Sequence, residues 1–389
     1  MSRDDPTMDR VAVRLLVALA LVAVALVAMR GHLSGPPHWT PDGLFYQARA
    51  LELGGADRDS ALERTFGASL GADLRRIDPE RSGDPGWAAY HMRFYERRLS
   101  VPYAAKAIAP VAGERALLDV SIAGYVAAVL AIFGLLLLRF GLPIATAVAL
   151  LTIFLPALTE HSGFPQTDSW GLALEAAALA CGVLALRRGP RWIAPWFLAI
   201  LVLSFTRDST WIPVFAAGVA AVALRTRVAA ALFASGVAAA TPVLLLYSTP
   251  TRELLATMLN DAQPNPDGSW GFVVERYPGA LIDMLHADGG FVLDGAWYSA
   301  LYLLVGLALL FALGRGTQRT PATILLQGAA AAGVVFVLLV PVFSALRLEL
   351  ALVPMAAFGL ALGGERVAQR LALRMPAVER LAPAEQPPP

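Results

Sequence analysis

Between Asp119 and Arg139 the chain runs from Val120 to Leu138 without one charged residue. A bilayer core takes roughly 20 residues of helix to cross, and within it every backbone N–H and C=O must find a partner inside the segment. This stretch therefore reads as a membrane-spanning helix, and similar runs recur along the chain. Of 389 residues, 57% are hydrophobic and 16% charged, with a mean hydropathy of +0.59. That balance excludes an ordinary soluble enzyme. A net charge of +1 implies no broad attraction to nucleic acid. The single cysteine, Cys181, excludes an intramolecular disulfide and a cysteine-based metal cluster. Its apolar neighbours make it a packing residue.

The first apolar run, Val11 to Met29, follows Arg3 and Arg10 and contains Arg14. It is longer than a signal-peptide core and reads as an uncleaved anchor with a cytoplasmic start. Further spans are expected at Phe140 to Thr159, Ser169 to Leu186, Val228 to Ser248, Gly295 to Gly314, Pro321 to Phe343 and Leu350 to Gly364. Trp192 to Phe205 and Ser209 to Leu224 are shorter and should meet at a corner below the membrane surface. The expected fold is an all-α polytopic membrane protein of about ten transmembrane helices. It forms one membrane domain over residues 1–374, with a disordered cytoplasmic tail over 375–389.

Two polar segments interrupt the spans. Residues 30–115 form the first extracytoplasmic loop, with loop or short helices over 52–86. Aromatic and basic residues interleave over 88–109, as in a helix lying in the membrane interface. Residues 249–294 form the second large loop, with Pro264, Pro266 and Asp267-Gly268 as turn signals.

Early in the first loop stands Thr40-Pro41-Asp42-Gly43-Leu44-Phe45-Tyr46. Thr40 can cap a helix and Pro41 suits its first position, so Asp42 falls in the first turn, where the helix field favours its ionised form. Tyr46 and Arg49 share that helical face. Alone, this is an ordinary surface helix start. Threading the spans from a cytoplasmic start changes its weight. The arginines at 139, at 187, 188 and 191, at 225 and 227, and at 315 and 319 then share one side. The other side collects Asp42, Arg97, Arg98, His161, Asp168, Arg207, Asp208, Arg347 and Glu349 from separate corners of the chain. Charges at the edge of apolar helices are costly unless paired, solvated or used, so this set predicts a cavity with carboxylates and guanidinium groups. Glu175 lies about 10 Å deeper than Asp168 on the same face, extending the cavity or pairing with a neighbouring helix.

These residues resemble the integral-membrane glycosyltransferases of the GT-C superfamily, which use polyprenyl-phosphate-linked sugars. The resemblance rests on Asp42-Gly43-x-x-Tyr46, on Tyr95 to Pro102 before the second span, on Gln166-Thr167-Asp168, on Thr206-Arg207-Asp208 and on Arg347-Leu348-Glu349, in that order. It implies that Asp42 is the catalytic base for an acceptor hydroxyl. It implies that Arg207, Arg347 and one of Arg97 or Arg98 stabilise the departing lipid phosphate. Asp168 could orient an arginine, share a divalent cation or contact sugar hydroxyls. His161 could bind phosphate, serve structure or simply face solvent, and Tyr46, Asp208 and Glu349 join the substrate-binding set. Partners would be the lipid-linked donor, a cell-envelope glycan, lipid or protein acceptor, and membrane lipid, with no nucleic acid. Lys106 is the sole lysine, a bias of GC-rich bacterial genomes, so the expected location is a bacterial inner membrane.

Asp42 is followed by Gly43, whereas many members carry two adjacent acids there, so a cofactor cation is not required by these residues. A transporter is the competing class, although transporter sites lie near the bilayer midplane. A non-catalytic lipid-linked-sugar binder is a third. Walker, His-Glu-x-x-His and Gly-x-Ser-x-Gly motifs are absent from the sequence.

Overall fold

A computed structural model describes residues 6–67, 85–247, 251–260, 263, 268–315, 319–340 and 345–374. Among them the fold is all-helical. Helix α1 spans Pro6–Ala28, α2 Pro41–Leu53, α3 Pro85–Met92, α4 Ser100–Ala112 and α5 Ala116–Leu137. Then come α6 Leu142–Ile153, α7 Pro156–Ser162, α8 Asp168–Arg188, α9 Ile193–Ser204, α10 Trp211–Leu224 and α11 Arg227–Leu246. The last are α12 Thr251–Met258, α13 Trp270–Phe291, α14 Trp297–Leu313, α15 Pro321–Leu339 and α16 Val353–Arg374.

Among the described residues six helical stretches are long and apolar enough to cross a membrane, or up to seven if the bent pair α6–α7 counts as one span. Three further apolar helical stretches, Pro190–Ser204, Asp208–Leu224 and Arg227–Val243, are shorter, as the sequence led us to expect for the first two. Residues 140–159 do not form one straight helix. The chain bends by 61° between α6 and α7, where Pro156 cannot continue the α6 hydrogen-bond ladder.

Two loop expectations change as well. The interfacial helix over 88–109 is broken: α3 ends at Met92, the chain turns through residues 93–99, and α4 begins at Ser100. The break points Arg97 and Arg98 to the interior of the assembly, which a continuous helix would spread around its surface. Within segment 249–294 the described residues are largely helical. Ser269 caps α13 by accepting from the Phe272 N–H at 3.1 Å, and α13 runs on to Phe291. Gly295, at φ 140°, then kinks the chain into α14, a conformation that favours glycine. Pro264, Pro266, Asp267, residues 68–84 and the tail beyond residue 374 lie outside the described residues.

Helix α5 is at the centre, packed along α8. Gly124 leaves room for Trp170 and Ser169 of α8. The Ser169 hydroxyl then donates to the Ser121 carbonyl at 2.7 Å, and the Trp170 indole to that of Val120, also at 2.7 Å. Small residues permit close approach and backbone-directed hydrogen bonds glue the pair, as in membrane helix packing generally. Helices α14 and α16 meet more closely still. A Cβ at Gly306 or Gly359 would fall within the facing backbone.

Gly359→Val should therefore force α14 and α16 apart. The expected cost is about 1–3 kcal/mol, the range for overpacked interiors. Thermal unfolding in detergent tests it, and an unchanged midpoint would refute the close contact.

Candidate active site

Helix α2 starts where the sequence indicates. Thr40 is extended (φ −94°, ψ 161°) and its hydroxyl accepts from the Gly43 N–H at 3.1 Å, with Pro41 in the first turn. The Gln166 amide also donates to the Thr40 hydroxyl, at 2.9 Å, tying this cap to the entry of α8. A Cβ at Gly43 would sit 3.0 Å from the Pro165 carbonyl oxygen, tighter than side chains tolerate without adjustment. Glycine after Asp42 is thus set by the approach of the 165–168 corner.

Asp42 and Asp168 are joined through one guanidinium. Arg347 donates from Nε to Asp168 Oδ1 at 2.7 Å and places Nη2 2.6 Å from Asp42 Oδ2. The Tyr95 hydroxyl donates to the other oxygen of Asp42 at 2.5 Å. Arg207 pairs with the same Asp168 oxygen, and a Cβ at Gly171 would fall on its side chain, so glycine makes the passage for it. The next residue, Asp208, receives both Arg97 and Arg98, the latter at 2.9 Å. Arg98 also donates to the Tyr46 hydroxyl at 2.7 Å, and that hydroxyl lies 3.0 Å from the hydroxyl of Thr167. Four guanidinium groups thus meet three carboxylates in two adjoining ion-pair groups, one around Asp168 and one around Asp208, which leaves an excess of positive charge.

Arg347 reaches this position through strained backbone. Ala345 and Leu346 have φ of 49° and 61°, a left-handed pair that side chains with a Cβ rarely adopt. His161, buried in α7, meets the Ala345 carbonyl at 3.0 Å through Nε2. The carbonyl can only accept, so Nε2 carries the proton. His161 therefore holds the turn that aims Arg347. Glu349 is half-buried two residues further on, opening the 3₁₀ turn before α16.

Burial pushes the Asp42 carboxyl up, but Arg347, Arg98 and the Tyr95 hydroxyl together hold it below the ordinary aspartate value. Burial, then the Asp42 charge, push the Tyr95 phenol well above its ordinary value. Burial weakens the Arg347 charge, but Asp168 and Asp42 more than offset this, so it stays protonated. Among the described residues no three His, Cys, Asp or Glu side chains gather in a metal-binding group. The two acids most suited to share a divalent cation share Arg347 instead, so the donor set does not fit a resident cation.

Above the cluster opens a cavity of about 1060 Å³, with Asp42, Tyr95 and Arg98 at its floor. The wall was not anticipated from the sequence. Helix α12 contributes Leu254, Thr257 and Met258, and α13 contributes Glu275, Arg276 and Asp283. Helix α12 is fastened across the opening by the Tyr90–Thr257 hydrogen bond at 2.8 Å and by the Arg93–Glu253 ion pair. Below Asp168 a much smaller space is lined by Glu175, Arg207, Ser209 and Arg347, so Glu175 extends the polar region inward. No family model and no curated protein sequence matches the chain.

Two outcomes follow. The Asp42 pKa is lower folded than unfolded, so its ion pair contributes stability above about pH 4. That contribution disappears as pH falls through the depressed value. The melting temperature should thus fall less on acidification in Asp42→Asn than in the wild type, and parallel acid profiles would exclude the pairing. His161→Ala strands the Ala345 carbonyl and should cost about 1–3 kcal/mol in thermal unfolding. His161→Gln, which keeps a donor, should recover much of it; equal losses would remove the hydrogen bond as the cause.

Proposed function

We propose that this protein is a GT-C-type membrane glycosyltransferase that moves a sugar from a polyprenyl-phosphate donor to an acceptor hydroxyl on the extracytoplasmic side. In this reading the bent pair and the shorter apolar helices also cross, giving about ten spans, and the N-terminus is cytoplasmic in a bacterial inner membrane. The observation that carries the reading is one carboxylate, Asp42, at the floor of a large cavity beside a cluster rich in guanidinium groups.

The chemistry follows from that placement. The acceptor oxygen attacks the anomeric carbon as its proton passes to Asp42. The bond from that carbon to the phosphate oxygen breaks, and the phosphate keeps the electron pair. Its growing charge is met by Arg347 and Arg98 with donors fixed in advance, which favours the transition state over the bound donor. Arg207, Arg97, Asp168 and Asp208 hold these groups in register, and Tyr46 fixes Arg98.

Asp42 has two roles that compete. Paired with Arg347 it is a weak base, its carboxyl held below the ordinary value. A donor phosphate that draws Arg347 toward itself removes part of that pairing, and the basicity of Asp42 rises where the acceptor must be deprotonated. Base strength is thereby linked to an occupied donor site.

The test is incubation of purified protein with radiolabelled polyprenyl-phosphate sugars and candidate acceptors. Asp42→Asn should reduce transfer by about 10²–10⁴-fold, the usual worth of a general base, with insertion and expression retained. Near-normal transfer would remove Asp42 from the mechanism. Glu175, buried below the cluster, is the feature that favours a transporter. Solute uptake into liposomes that survives Asp42→Asn would favour that class.

A further inference from the structure

Between Trp270 and Leu285 helix α13 turns its charged side to the cavity. At 100° per residue, Trp270, Val274 and Leu285 share one face, and they are 55%, 70% and 56% exposed. Glu275, Arg276, Gly279 and Asp283 share the opposite face and line the cavity. In a chain with membrane-length helices, an outward apolar face belongs against lipid, as in interfacial helices. Helix α13 then separates an aqueous cavity from the lipid phase.

Floor and wall also differ in charge. At the floor Asp42 and Arg98 balance, with the guanidinium groups of Arg97, Arg207 and Arg347 packed behind them, whereas the α13 wall carries two carboxylates and one guanidinium. An anionic phosphate is drawn to the first and repelled by the second. The wall suits a neutral ligand with several hydroxyls, because each carboxylate accepts hydrogen bonds and Arg276 donates them. Glu275 and Asp283 are about 12 Å apart along the helix axis. Gly279 and Ala280 between them leave a notch free of large side chains.

We propose that α13 is the acceptor wall, and that the acceptor is a neutral glycan rather than a lipid or a protein. The inference rests on the glycosyl-transfer reading and deepens it: the glycan lies along Glu275, Arg276 and Asp283 and presents one hydroxyl to Asp42.

The test uses the full chain in lipid nanodiscs. Saturation-transfer NMR with a panel of neutral hexose and pentose disaccharides measures acceptor binding, and titration with farnesyl phosphate measures phosphate binding. At least one disaccharide should bind. Glu275→Gln/Asp283→Asn and, independently, the notch-filling Ala280→Trp should weaken it at least tenfold and leave farnesyl phosphate unchanged. The proposal is overturned if no disaccharide binds while farnesyl phosphate does, if both wall variants bind the disaccharide as the wild type does, or if farnesyl phosphate is lost in parallel. An Asp42→Asn variant with full transfer would remove the base and leave these binding results standing, so the two readings fail separately.

Discussion

One guanidinium shared by two carboxylates organises this end of the molecule. Asp42 comes from the first turn of α2, Asp168 from the first turn of α8, and Arg347 from the turn before α16. None of these groups could be left there alone. Asp168 is almost fully buried, and an uncompensated buried charge costs several kcal/mol, of order 3–5 when a partner is removed. The bridge therefore makes three distant corners of the chain depend on one another. It also determines the local backbone: Ala345 and Leu346 persist in a left-handed conformation because His161 on one side and the ion pairs on the other hold them.

Around this bridge the helices do two different jobs. The long apolar ones supply a rigid frame through small-residue contacts, as at Gly124 between α5 and α8. The short and broken ones deliver charge. The extended backbone of Arg207, at φ −150° and ψ 159°, separates the short helices α9 and α10 and sends neighbouring side chains to different partners. Arg207 meets Asp168, while Asp208 meets Arg97 and Arg98. Breaks in apolar helices are thus the means by which polar groups enter the assembly with their backbone still satisfied.

Helical class, the membrane-length runs and the gathering of Asp42, Arg97, Arg98, Asp168, Arg207, Asp208 and Arg347 were legible because each leaves a local mark. A charge at the edge of an apolar run is visible in a window of a few residues. The role of His161 was not, because it depends on a carbonyl almost two hundred positions away in the chain. The break at 93–99 was hidden for a related reason: aromatic and basic residues at helical spacing continue through it, and the turn is fixed by what Arg97 and Arg98 reach. The cavity wall on α13 was masked by its polar composition. Its charges alternate with apolar residues at a helical period, but proline and glycine nearby read as loop. Only with Asp42 placed opposite does the polar face acquire a meaning.

The contact of Gly43 with the Pro165 carbonyl carries one more consequence. A side chain at position 43 requires the Pro165 carbonyl to give way by a few tenths of an ångström, whatever chemistry might profit from it. Engineering a paired-acid version of this centre would require the stretch before Asp168 to shift, because the added Cβ meets a backbone carbonyl and not the end of a flexible side chain. Drift in this protein should then favour glycine at residue 43 for as long as residues 165–168 keep their path.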